Sequence, residues 1–135
     1  MSDGETAMRT IAGLGFREAA HTDSLRDALA RARAQGVRTL AVPADKIGHR
    51  ALRPLAAAGY RVIGIVPAVM QAVPTLTESP AARRAYQTGS VAEACALAAA
   101  RAAFGPRARL AGPRAISGDR LATAALALAP EGDPE

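Results

Sequence analysis

The hydrophobic period changes repeatedly along this 135-residue chain, and each change marks an element. MRTIAGLG, from Met8 to Gly15, reads as a first strand running into a glycine turn. TDSLRDALARARAQG then sets Leu25, Ala28, Leu29 and Ala32 on one face at helical spacing, with Asp or Thr near the cap and Gly36 as the stop. VRTLAVP is a second strand, ended by Pro43. HRALRPLAAAG predicts a second helix that stops at Gly59, with Pro54 imposing a kink or a late start. RVIGIVP is a third strand, so evenly apolar that burial of both its faces is expected.

The next stretch, AVMQAVPTLTESPAARRAYQTGS, has no such period and is broken by two prolines. It leads into an alanine-rich helix predicted from Val91 to about Phe104. RARLAGPRAIS and RLATAALALA follow as a strand pair joined by a turn at Ser117, Gly118 and Asp119. Pro113 puts the first of these at a sheet edge or breaks it in two. The order of elements predicts an α/β fold, a three-layer α/β/α sandwich around a mixed, mostly parallel sheet of about five strands. A single domain is expected over residues 8–129, with disordered ends at 1–7 and 130–135, where the chain is polar and carries Gly or Pro without periodicity.

Composition narrows the core. With 3% aromatic residues and no Trp, it must be built from Leu, Val, Ile and many alanines. The lone Cys95 has no partner for an internal disulfide and no metal-ligand spacing around it, so it is expected to pack inward from its helix. No apolar run reaches the roughly 18 residues of a membrane span, and MSDGETAMRT lacks the regions of a signal peptide. A cytoplasmic protein without membrane contact is therefore expected.

Charge points to the ligand class. Five of the 12 acidic residues (Asp3, Glu5, Glu131, Asp133 and Glu135) lie in the ends, leaving 17 basic against 7 acidic residues in 8–129, a net +10. Such a body attracts polyanions. All but one of the cations are Arg, which a compositional bias of the source genome also accounts for. The chain has no zinc-finger spacing, no aromatic stacking motif and no dense Lys/Arg run, so no nucleic-acid partner is expected.

In an open α/β sheet, ligands bind beyond the carboxyl ends of the parallel strands. That rule selects Gly13, Gly15, Phe16, Arg17, Glu18 and His21 after the first strand, Asp45, Lys46 and His49 after the second, and the Thr-rich loop after the third. GLGFRE is no dinucleotide fingerprint, because Glu18 stands where the third glycine belongs, and no P-loop is present. Gly13 and Gly15 serve either a tight turn or an opening of backbone amides toward an anion beside Arg17. Lys46, the one lysine, is either an anion contact or a solvated charge. His21 and His49 are isolated and default to surface or capping roles.

Thr75, Thr77 and Ser79 alternate, so their hydroxyls share one side of an extended segment while Leu76 and Glu78 take the other. Ser79 followed by Pro80 starts a short helix. In TGSVAEACALAAA, Thr88 to Ala100, Ser90 and Glu93 form a capping box beside Gly89. The two helix starts, with free amides and a favourable dipole, are either plain caps or adjacent anion sites at Ser79 and at Thr88, Gly89 and Ser90. Glu93 and Glu78 are the candidate proton-transferring carboxylates, and either needs a raised pKa to serve as a general base.

GLGFR, the lysine after the second strand, TLTESPAAR, TGSVAEACALAAA and a terminal ATAALA together resemble the cobalamin biosynthesis family that comprises CobE and the C-terminal domain of CbiG. The resemblance runs from about Thr10 to Ala127, and its most specific parts are the T-x-T-x-S-P loop and the G-S-V-A-E-A helix start. Phe16 departs from a G-x-G-C-R pattern, which leaves no thiol at that position. The resemblance implies a domain that acts on a precorrin or corrinoid, a macrocycle ringed by acetate and propionate groups. It further implies the stand-alone CobE type of the aerobic pathway, since the chain has no room for the additional N-terminal domain of CbiG. A lactone-opening hydrolase like CbiG, or a non-catalytic carrier that meets other cobalamin-pathway enzymes, are the alternatives. No cofactor and no metal are implied.

Overall fold

The computed structural model describes residues 8–130, so both chain ends expected to be disordered lie outside or at the limit of the described residues. In chain order the elements are β1 (Met8–Phe16), α1 (Thr22–Arg31), β2 (Thr39–Pro43), α2 (Arg53–Ala57), β3 (Arg61–Ile65), α3 (Pro67–Gln71), α4 (Pro80–Tyr86), α5 (Val91–Phe104), β4 (Arg109–Leu110), β5 (Ala115–Ile116) and β6 (Ala122–Pro130). Two 3₁₀ turns, Ala44–Lys46 and Arg50–Leu52, connect β2 to α2.

The sheet runs β3-β2-β1-β6-β4, with β5 also paired to β6. The first three strands are parallel. β6 returns antiparallel along the whole of β1, with Met8 opposite Pro130 and Phe16 opposite Ala122. β4 and β5 pair with β6 at Leu128 and at Ala124, so they are two halves of one edge strand, broken around Pro113. The mixed sheet with helices on both faces is the architecture that the element order predicts.

Alternation in the strands sorts the two cores. Ala12, Leu14, Leu40 and Val42 face α1 and α2, where Leu25, Leu29 and Leu55 close the first core. Ile11, Ala41, Ala127 and Ala129 face α5 on the other side. Every residue of α5 from Ala92 to Ala100 is buried, because the sheet lies beneath it and Met70, Val73 and Tyr86 cover it. Alanine suits this position: it has the highest helix propensity, and its small side chain lets backbones come close.

Three expectations need correction. Gly13 and Gly15 lie inside β1 rather than in a turn after it. A Cβ on Gly13 would collide with the Ala92 carbonyl oxygen and sit 2.6 Å from the Ala96 nitrogen, so this glycine exists to seat α5 on the sheet. β3 is an edge strand, and Val62, Ile63 and Gly64 are only half-buried; its apolar run reflects partial cover on both faces rather than a central place. The first helix ends at Arg31, short of Gly36, because Arg33 turns left-handed at φ 62°. The second helix takes the late start that Pro54 imposes, and the irregular stretch holds α3 as well as α4.

Candidate functional site

The antiparallel return of β6 decides the geometry. Its first residue lies beside the last residue of β1, so the turn Ser117–Leu121 stands at the carboxyl end of the parallel strands. Arg17 fixes that junction by donating its amide to the Leu121 carbonyl at 2.9 Å. The start of α5 faces the same end, with Val91 against Gly15.

A cavity of about 710 Å³ opens between these elements. Arg17, Lys46, Arg114 and Arg120 bring four cations to it, against Glu18 and Asp119. Its apolar wall comes from Ala81, Ala82, Val91, Ile116 and Leu121. The site thus offers apolar cover beside forked and point cations, a combination suited to an apolar body that carries carboxylates.

Each cation has a defined seat. Lys46, at the end of the first 3₁₀ turn, donates to the Phe16 carbonyl at 3.2 Å and lies 5.4 Å from the Phe16 ring centre. Arg114 donates its backbone amide to Glu93 at 2.8 Å and its guanidinium to the Thr77 hydroxyl. Arg120 holds a left-handed φ of 62° at the crest of the turn, a conformation that costs a non-glycine residue about 1 kcal/mol or more. Asp119 ties that turn down: it accepts from Ser24 at 2.5 Å, from Ser117 at 2.6 Å and from the Leu121 amide at 3.0 Å. These bonds, the Ser117 hydroxyl first, hold its carboxyl down to about 2.

Glu93 is buried, at 0% exposure, and its carboxylate is saturated. It accepts from the Leu76 amide at 2.6 Å, the Thr77 amide at 3.0 Å, the Thr77 hydroxyl at 2.8 Å and the Arg114 amide. Only half of the expected capping box therefore forms. The Ser90 hydroxyl accepts from the Glu93 amide at 3.2 Å, whereas the Glu93 side chain bonds to the Thr-rich loop and β5 instead of the cap. Glu78 is exposed and paired with Arg83 at 2.7 Å, which lowers its carboxyl below the usual range.

The Thr-rich loop alternates as predicted, with Thr75, Thr77 and Ser79 half-buried and Leu76 and Glu78 outward. The inward side meets protein: Thr75 donates to the Thr77 carbonyl, and Thr77 serves Glu93. Gly89 makes the approach of this loop possible. A Cβ there would meet the Thr75 hydroxyl and lie 2.5 Å from Glu78 Oε2 and 2.6 Å from the Thr77 carbonyl oxygen. The space that Gly89 leaves is filled by the chain itself.

Of the residues selected from sequence, Gly15, Phe16, Arg17, Glu18, Lys46, Ser79 and Ser90 line the cavity. Gly13 lies under α5, Thr75, Thr77, Thr88 and Gly89 build the loop junction, and Glu78 and Glu93 are not among the lining residues. Ser79 and Ser90 cap their helices, accepting from the Ala82 and Glu93 amides. The Val91 and Ala92 amides have no protein acceptor among the described residues. Tyr86, Arg114, Asp119 and Arg120 were missed. Three of them follow from the one antiparallel late strand, which carries the turn before it to the end of β1.

His21 stands at the N-cap of α1, and His49 caps the second 3₁₀ turn. Ser24 accepts from the His21 amide at 3.1 Å, and His49 Nδ1 accepts from the Ala51 amide at 3.0 Å. His49 Nε2 then carries the proton and donates to the Glu18 carbonyl at 2.9 Å. Cys95 is buried, and burial pushes its thiol pKa up, so it is an inert packing group. Burial and Asp45, which accepts from the Tyr86 hydroxyl at 2.9 Å, likewise raise the Tyr86 phenol. No helix among the described residues is long and apolar enough to cross a membrane.

The model of the family described as Cobalamin synthesis G C-terminus matches residues 10–128. The crystal structure of CobE, a protein from the cobalamin (vitamin B12) biosynthetic pathway, is 33% identical, with 92% of this chain and 93% of that chain covered at a TM-score of 0.79. The crystal structure of cobalamin biosynthesis protein chiG from Agrobacterium tumefaciens is 30% identical, with 88% of this chain and 97% of that chain covered at a TM-score of 0.62. No curated protein sequence matches the chain significantly.

Proposed function

We propose, on the premise that the chain belongs to the cobalamin synthesis G C-terminal family and so to cobalamin biosynthesis, that it binds a polycarboxylate precorrin or corrinoid in the cavity at the strand carboxyl ends. The observation that carries this reading is the convergence of Arg17, Lys46, Arg114 and Arg120 on one cavity with an apolar wall. A corrin macrocycle presents the complement: an apolar ring system with carboxylates at its edge. The free amides at the start of α5 add a further place for one carboxylate. We place it with the stand-alone CobE type of the aerobic pathway that its motifs resemble; the solved CobE matches it at a TM-score of 0.79.

Binding, rather than lactone opening, is the reading that the carboxylates favour. Glu93 has four donors on its two oxygens, and Glu78 is paired with Arg83 outside the cavity. Of the two acids that line the cavity, Glu18 is exposed and paired with Arg50 at 3.4 Å, and Asp119 is held at about 2, far too acidic to take a proton at neutral pH. We therefore read the protein as a binder or carrier of the intermediate. Titration with hydrogenobyrinic acid, followed through the pigment's absorption bands, tests it. Saturable binding that weakens about tenfold in Arg17→Gln and in Lys46→Gln supports the reading. No saturable binding, or binding indifferent to both substitutions, overturns it.

A further inference from the structure

Of the arginines that line the cavity, Arg17, Arg114 and Arg120, only Arg114 has a described hydrogen bond from its guanidinium, and the acceptor is the Thr77 hydroxyl. Thr77 itself does not line the cavity, nor does Glu93 behind it. A hydroxyl has a single proton, and that of Thr77 goes to Glu93 Oε2 at 2.8 Å, which leaves its lone pairs for the guanidinium. The rest of Thr77 is seated as well: its amide donates to Glu93 Oε1 at 3.0 Å, and its carbonyl accepts from the Thr75 hydroxyl at 3.2 Å. The Arg114 amide donates to the same carboxylate at 2.8 Å. One buried carboxylate thus fixes residue 114 at both ends, the amide directly and the guanidinium through a hydroxyl.

The intervening hydroxyl matters for what the cation can still do. A carboxylate in direct contact would take both arms of the fork and neutralise it. Among the described residues no carboxylate lies within ion-pair distance of Arg114. The hydroxyl occupies one N–H and leaves the others, with the full charge, to the cavity. It also removes a cost: a long arginine side chain has many rotamers, and ordering it on binding weakens affinity unless the protein has ordered it already.

We propose that Thr77 is a positioning residue that aims the Arg114 guanidinium at a carboxylate of the ligand. The inference rests on the reading of the cavity as a polycarboxylate site. It gives the Thr-rich loop a part in binding through Arg114, although Thr77 has no place in the cavity wall.

Titration of the full chain with hydrogenobyrinic acid, followed through the pigment's absorption bands, tests it. Thr77→Val keeps the branched shape and removes the hydroxyl, while the Leu76, Thr77 and Arg114 amides still serve Glu93; melting temperatures verify the fold. Thr77→Cys keeps a donor for Glu93 but offers the guanidinium only a weak acceptor, so it carries the test should Thr77→Val not fold. Thr77→Ser restores the hydroxyl, and Arg114→Met keeps the stem without its donors. Affinity is expected to weaken about fivefold in Thr77→Val and in Thr77→Cys, about tenfold in Arg114→Met, and less than about twofold in Thr77→Ser. In the Arg114→Met background Thr77→Val should change affinity by less than about twofold, because no guanidinium is left to aim. A residue that merely supported the loop would lose as much affinity there as in the parent. That equal loss, or full affinity in Thr77→Val or Thr77→Cys, or in Arg114→Met, overturns this inference alone. No saturable binding by the parent overturns it together with the reading of the cavity.

Discussion

Glu93 holds Thr77 twice, accepting from its amide at 3.0 Å and from its hydroxyl at 2.8 Å, although the two residues are sixteen positions apart. This pair fastens the Thr-rich loop to α5, and the Arg114 amide on the same carboxylate fastens β5. Four donors around one buried carboxylate leave no room for a donor in its place. Glu93→Gln, which turns one oxygen into an NH₂ group aimed at N–H and O–H donors, is expected to cost about 3 kcal/mol. Urea unfolding measures it. A variant within about 0.5 kcal/mol of the parent would mean that the bonds of the Glu93 carboxylate to the Thr-rich loop and β5 add nothing net to stability.

Gly13 and Ala96 meet with nothing to spare, since an added Cβ would lie 2.6 Å from the Ala96 nitrogen and would overlap the Ala92 carbonyl. Both obstacles are helix backbone, which cannot rotate away. Gly13→Ala is therefore expected to lift α5 from the sheet and cost at least about 3 kcal/mol, the upper end for overpacking. Gly48→Ala, where an added Cβ meets nothing within 4 Å, is the control and should stay within about 0.5 kcal/mol. Thermal unfolding of the two variants beside the parent separates them.

Acid should loosen the turn at Ser117–Leu121 first. Asp119 is held at about 2 by Ser117, Ser24 and the Leu121 amide, below its ordinary value of 3.8. Asp27 is also lowered, chiefly by the Gly118 amide that it accepts at 2.7 Å. A folded-state pKa below the unfolded one contributes stability that is present above the unfolded value and lost as pH falls through the folded one. The window for Asp119 is therefore from about pH 4 down to about pH 2. The melting temperatures of parent and Asp119→Asn should differ at neutral pH and converge across that window. A constant gap down to pH 2 would show that the carboxylate's charge is not what holds the turn.

Local features of the fold were legible in the sequence because their causes are local. Ser79 with Pro80, Ser90 before the alanine run, Pro54 delaying α2 and Pro113 splitting the last edge strand each act within a few residues. The same holds for the alternation of Thr75, Thr77 and Ser79. Long-range partners were not legible. Gly13 reads as a turn until α5, some 80 residues later, lies on it, and Glu93 reads as a cap until Arg114 and Thr77 arrive beside it. Charge alone did not single out Arg114 and Arg120 among sixteen arginines; the antiparallel return of β6 does so by bringing their segment to the end of β1.

Arg120 separates binding from stability. Its φ of 62° is strained for any residue with a Cβ, and beyond its backbone bond to Ser117 it makes no described hydrogen bond, yet it lines the cavity. Arg120→Gly relieves about 1 to 2 kcal/mol of left-handed strain and loses about 0.5 to 1 kcal/mol to the greater freedom of the unfolded chain. Stability should hold or rise by as much as about 1 kcal/mol in urea unfolding, while affinity for hydrogenobyrinic acid falls about tenfold. Opposite signs in the two measurements are the signature of strain kept for a ligand contact. If stability and affinity fall together, Arg120 is a structural residue of the turn and the cavity depends on its other three cations.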